Sequence, residues 1–181
     1  MSNRYAWMRL PTGGFAVDQR GVISVEFALA AVFLMTAMLN AADVGEYIYQ
    51  SMQVENAAQM AVQTVLQTCT STQLPATTAC PGLSGRVASA VAATSLGTAI
   101  TIDGGQITEA YYCTDSSYHL VQVGTIGSRP STCATAGNAA LVPGDYVVAA
   151  VSFSFKPLTS GASVATLLST SIKRSAVMRI G

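Results

Sequence analysis

From Val22 to Leu39 the chain runs through eighteen residues with one charge, Glu26, and neither Pro nor Gly. As a helix this run is about 27 Å long, close to the thickness of a bilayer's hydrocarbon core. In lipid the backbone must satisfy its own hydrogen bonds, so a helix is the form open to a single segment. The acid inside it is the anomaly. A carboxylate costs roughly 2.5–3.5 kcal/mol at the bilayer centre and less near an interface, so a residue of this kind is kept for a function or snorkels to the surface.

Beyond Asn40 the pattern changes without ending. Asp43, Glu46, Gln50, Gln53, Asn56, Gln59, Gln63 and Gln67 form one polar stripe, and Val44, Ile48, Met52, Ala58, Val62 and Leu66 fall on another face. That periodicity predicts an amphipathic helix over 41–67 that continues the membrane helix. Gly45 is a soft point where a bend at the membrane surface is easiest. Val22 to about Gln67 would be roughly 69 Å long.

The rest reads as a small mixed head. A short second helix is expected from about Leu83 to Ser95, with Val87, Val91 and Ala92 on one face and Gly97 as its stop. Residues 99–102 and 106–108 flank Asp103-Gly104-Gly105, a hairpin signal, and the second strand runs on through Cys113. A strand from His119 to Val123 follows the Asp115–Ser117 turn, and 124–144 reads as a loop. Asp145 to Phe155 alternates cleanly, with Val147, Ala149, Val151, Phe153 and Phe155 on one side. Val164–Leu168 is a short apolar piece, and Ser171–Ile180 a last strand. The fold class is therefore α+β: a long N-terminal membrane-spanning helix packed on a small antiparallel sheet.

Charge gives the orientation. Of 181 residues only 10% are charged, against roughly 25% in ordinary soluble proteins. Residues 1–21 carry Arg4, Arg9 and Arg20 against Asp18, and the remainder six basic and eight acidic residues. A basic head before an apolar helix lies in the cytoplasm. The body keeps no basic patch, which argues against nucleic acid as a partner. Cys69, Cys80, Cys113 and Cys133 fall on the far, oxidising side, and an even count there suggests two disulfides. Of three connectivities, Cys69–Cys80 with Cys113–Cys133 is preferred, since Cys69 ends a helix and Cys80 follows a tight loop. Each loop closed would be worth about 3 kcal/mol in the chain-entropy model. With one His and no Cys-x-x-Cys there is no metal motif, and no catalytic motif or cofactor signature is present. His119 reads as structural, and Asp103, Glu109, Asp115 and Asp145 as turn or edge residues. Tyr111, Tyr112, Phe153 and Phe155 read as packing.

Arg20-Gly21, four residues, then Glu26-Phe27 and an apolar helix resembles the processing site of type IV prepilins. With Arg174-Ser175-Ala176-Val177-Met178-Arg179 at the C-terminus, the chain is similar to the TadE-like minor pilins or pseudopilins of tight-adherence (type IVc, Flp-type) pilus systems. The resemblance implies a pilin-like plan with a leader over 1–21, a transmembrane helix over 22–40 and a periplasmic head over 41–181. It also implies cleavage by a prepilin peptidase between Gly21 and Val22, which makes Glu26 the fifth residue of the mature chain. In that family the glutamate is thought to meet a new amino terminus during assembly, here the amine of Val22. The implied partners are the peptidase, the major Flp-type pilin, other minor pilins, the inner-membrane platform and membrane lipid. The implied function is a structural one in pilus assembly, not catalysis. Two competing readings follow from the same residues: an uncleaved signal anchor carrying a periplasmic binding or adhesin module, and a secretory signal cut near Ala41. The glutamate and the unbroken helix fit the secretory signal poorly.

Overall fold

The computed structural model describes residues 19–159 and 163–181, so the leader expected over 1–21 lies outside it except for its last three residues. Helix α1 runs from Gln19–Thr68, 50 residues, about 75 Å of axis. No Pro interrupts the sequence between Pro11 and Pro75, and the helix passes Gly45 without a break. Val22 to Leu39 is exposed almost throughout. From Asp43 onward one face goes under the head, with Asp43, Ser51, Val54, Ala57, Ala58, Ala61, Val62 and Val65 buried.

This face is not the one the apolar pattern suggests. Ala58 and Val62 are buried, but Ile48, Met52 and Leu66 are 55%, 61% and 51% exposed. The buried seam is built instead from small side chains that let the sheet come close to the helix axis, and close packing against a flat sheet favours that fit over bulk. The larger residues are left outside.

After a disulfide-closed loop come α2 (Ala76–Ala79) and α3 (Leu83–Ala92). Leu83, Val87 and Val91 repeat at helical spacing and are buried against α1. Five antiparallel strands follow: β1 (Ile100–Ile102), β2 (Thr108–Thr114), β3 (Leu120–Thr125), β4 (Gly144–Ser154) and β5 (Ser171–Arg179). Strand β4 is the spine. Along one edge it pairs with β5 from Tyr146↔Arg179 to Ser154↔Ser171. Its other edge carries β1 (Ile100↔Phe153) and β2 (Thr108↔Val148) end to end, with β3 outside β2.

That register corrects one expectation. The segment at Asp103-Gly104-Gly105 does not reverse the chain into a β1–β2 hairpin. Both glycines take positive φ, +72° and +74°, and bulge outward so that the chain rejoins the same edge of β4 farther along. A turn signal marks a departure from strand geometry, and only the pairing decides whether the chain comes back. The true hairpin is β2–β3, across the expected Asp115–Ser117 turn. Val147, Ala149 and Val151 on the inner face of β4 are fully buried, as the alternation requires.

The small-residue seam yields a direct test. Ala58→Leu adds bulk where the sheet leaves no room and should destabilise the full chain in detergent by about 1–3 kcal/mol. Ile48→Ala, on the exposed face, should change stability by less than about 0.5 kcal/mol. Urea unfolding of the two variants measures both.

Candidate functional site: the membrane helix and its seat on the head

The N-terminal part of α1 stands free of the head. Gly21, Val22 and Glu26 all lie within the helix and are exposed, and their neighbours to Leu39 make no seat on the sheet. Nine Val, Ile, Leu and Phe residues lie between 22 and 39, each favouring insertion by about 0.3–0.6 kcal/mol at mid-bilayer. Their sum outweighs one carboxylate, whose full cost of roughly 3 kcal/mol applies only at the centre. Glu26 stands five residues into the run, nearer its end than its middle. The helix is long and apolar enough to cross a membrane, and its acid does not prevent that.

Where this run ends, the head takes hold of it. Asn40 Oδ1 accepts from the Val164 amide at 2.6 Å, while Asn40 Nδ2 donates to the Thr36 carbonyl at 2.8 Å. One turn on, the fully buried Asp43 accepts from the Leu158 amide at 2.8 Å and from the Thr159 hydroxyl at 2.7 Å. A hydrogen bond from Ser163 and these contacts hold the Asp43 carboxyl below its usual range against the opposing effect of burial. Ser163 in turn accepts from the Ala165 amide at 3.1 Å. The connection between β4 and β5 is thus strapped across α1 at residues 40–43. The sequence pattern places Asp43 in the polar stripe of the helix. Its spacing from Tyr47, Ser51 and Val54, each a step of three or four, puts it on the buried seam.

Higher up, Arg174 of β5 donates to the Ser51 hydroxyl and lies 3.7 Å from Glu55, and Ser95 donates to Gln53 at 2.6 Å. The C-terminal basic strand therefore clamps the middle of α1. At its upper end Cys69 is joined to Cys80, with a Cα–Cα distance of 5.7 Å, and Cys113 to Cys133 at the same separation. The first bridge ties the end of α1 to α2. The second ties β2 to the long loop before β4.

Two carboxylates expected at turns or edges are instead buried between sheet and helices. Glu109 accepts from the amides of Ala76 and Thr77 at 2.9 and 2.7 Å and from the Thr77 hydroxyl at 2.6 Å, so it fixes α2 to β2. Asp145 sits diagonally across on β4, on the same face, as the pairs Glu109↔Val147 and Tyr111↔Asp145 require. Burial, and then the negative charge of Glu109, push the Asp145 carboxyl up to about 6. Arg129, stacked 5.2 Å from the Tyr111 ring centroid, opposes that rise. The other acids stay at turns: Asp115 accepts from the Ser117 and His119 amides at 2.8 and 2.9 Å, and Asp103 accepts from Ser152 at 2.7 Å. His119 precedes β3, is largely exposed and lies 3.8 Å from Asp115. The aromatics pack: Phe155 meets Tyr47 edge-on at 5.2 Å, and Tyr112 meets Tyr146 at 5.7 Å. Among the described residues no three His, Cys, Asp or Glu side chains converge as a metal site.

This geometry defines an α+β protein with an N-terminal helix able to span a membrane and continuing as the central helix of a small antiparallel head. A family model described as "TadE-like protein" matches residues 21–63, from the glycine before the apolar run to the middle of the buried seam. It is the family whose resemblance was read at Gly21 and Glu26, and the match covers part of the N-terminal helix alone. No curated protein and no solved structure matches the chain.

Two consequences can be measured. Asp43→Ala removes the carboxylate that accepts from Leu158 and Thr159, leaving the Asn40–Val164 contact, so exchange of the Leu158 amide should quicken roughly tenfold while the β2–β3 hairpin is unchanged. Asp145 has the opposite pH sign. Because its folded pKa is raised from 3.8 to about 6, the folded state holds that proton more tightly, and stability from this group falls as pH rises through that window. Asp145→Asn should therefore stabilise the chain above pH 6 and be near neutral at pH 4, as read by thermal unfolding at the two pH values.

Proposed function

We propose that this protein is a minor pilin or pseudopilin that joins a tight-adherence pilus assembly after a prepilin peptidase cuts between Gly21 and Val22. The observation that carries the reading is the position of Glu26. It lies just over one turn past Gly21 in a helix otherwise uncharged to Asn40, exposed, with no described residue of the head reaching it. A carboxylate there has no structural work among the described residues of its own subunit. Cleavage would create a cation at Val22, at nearly the same depth, and pairing the two offsets a desolvation cost of several kcal/mol for each ion.

In this reading the basic leader lies in the cytoplasm, the helix crosses the inner membrane and the disulfide-bonded head faces the periplasm. The partners are the peptidase, the major Flp-type pilin, other minor pilins and the membrane platform. The role is structural.

Glu26→Ala tests the reading at its charge. The variant should insert, be cleaved and keep both disulfides, since the head does not touch residue 26, yet fail to co-purify with pilus partners. Gly21→Leu should leave the leader attached, seen as an intact N-terminus by mass spectrometry. Wild-type co-purification of the Glu26 variant, or a native N-terminus at Met1 or near Ala41, would overturn the proposal in favour of an anchored module or a secreted head.

A further inference from the structure

The strap that grips α1 at Asn40 and Asp43 turns the polar groups at residues 158, 159, 163 and 164 inward and its large apolar side chains outward, beside the exposed Thr166, Ser169 and Thr170. Thr159, Ser163 and the amides of Leu158 and Val164 all point to the helix. Leu158, Val164, Leu167 and Leu168 stand in the open, 68%, 50%, 86% and 38% exposed. Four large apolar side chains exposed within eleven residues are more than a loop facing water ordinarily carries. The sequence agrees: no charge occurs between Lys156 and Lys173. The location fixes the partner. The strap's contacts fall on residues 40 and 43, immediately after the apolar run ends at Leu39, so Leu158 and Val164 lie at the level where α1 would leave the bilayer, with Leu167 and Leu168 on the short turn that follows Val164.

We propose that Leu158, Val164, Leu167 and Leu168 form a second membrane contact, seated in the boundary between headgroups and acyl chains of the leaflet from which α1 emerges. The inference rests on the reading of α1 as membrane-spanning. Apolar side chains carried at that boundary partition into it without any part of the head moving. Lys156 at one end of the uncharged stretch is exposed and has the reach to stay among lipid phosphates. With the helix as one attachment and this patch as another, the head is held at a fixed tilt and rotation, and one side of α1 is set for other subunits. The exposed Ile48, Tyr49 and Met52 extend the apolar surface of the helix just above.

The test uses the full chain, reconstituted in vesicles at a protein-to-lipid ratio low enough to keep subunits apart. In a Trp7→Phe background, one tryptophan at a time is introduced by Leu167→Trp, Phe33→Trp or Tyr118→Trp. Residue 33 is mid-span, and residue 118 lies in the β2–β3 turn beyond the Gly144 end of β4, away from the strap. All three positions are highly exposed, so the substitutions leave the fold intact. Lipids brominated near the headgroup end of the acyl chain should quench the tryptophan at position 167 several-fold more than the one at position 118, and the emission of the former should lie to the blue. If the mid-span probe at position 33 is quenched by deep bromines while the strap probe at 167 behaves as the turn probe at 118, the membrane contact is wrong and the spanning helix stands. If the strap probe is blue-shifted without lipid quenching, protein covers the patch and the proposal fails. If neither the mid-span nor the strap probe is quenched, the membrane reading falls with it.

Discussion

One helix carries two kinds of surface. Its first part is apolar all round and long enough to cross a membrane, and its second packs on a protein core, which asks for a single close-fitting face. Everything else follows from joining these surfaces without a break. The head leaves the apolar segment exposed and takes hold of the helix from Asn40. The sheet cannot pack closely on large side chains, so the seam is Ala57, Ala58 and Ala61 between valines. β4 and β5 supply the flat surface that fits it, with Val147, Ala149, Val151 and Ile172 buried opposite.

The buried acids solve related problems in different ways. Asp43 stands where the chain changes solvent and is surrounded by donors, so its charge is stabilised and it fastens the strap. Glu109 likewise takes three donors from α2. Asp145 receives no comparable set: its Oδ1 is buried without a partner among the described residues, and Glu109 is close by. Its charge is therefore disfavoured, and the pair makes the sheet's upper inner face responsive to acid. Glu26 differs from all three, since no described residue of its own subunit answers it.

Much of this was legible from the sequence because it depends on local pattern. Apolar length marked the helix that could span a membrane, strict alternation marked β4, and helical spacing put Val87 and Val91 on one face, although Ala92, read with them, is exposed and Leu83 takes its place. What misled was bulk. Ile48, Met52 and Leu66 look like a core stripe, yet the helix turns a quieter alanine face inward, and only contact with the sheet reveals which face fits. The Asp103-Gly104-Gly105 turn misled for a similar reason, since its destination is set by β4, about forty residues later in the chain. Asp43 and Glu109 were hidden because their partners are mostly backbone amides of distant segments, which no side-chain motif records. Gly21, Val22 and Glu26 were visible as a spacing, and in the fold they are simply exposed positions within about a turn and a half of α1.

The central claim is that the helix passes from membrane to head as one rigid element, seated at residues 40–43. Hydrogen exchange of the full chain in bilayers, followed by mass spectrometry, tests it most directly. Amides from Asn40 through Glu46 should be as protected as those of the seam around Val54 to Val62, Gly45 included, because the helix is unbroken and strapped there. Rapid exchange confined to that segment would show a hinge at the membrane surface, with the head free to swing, and would contradict the account.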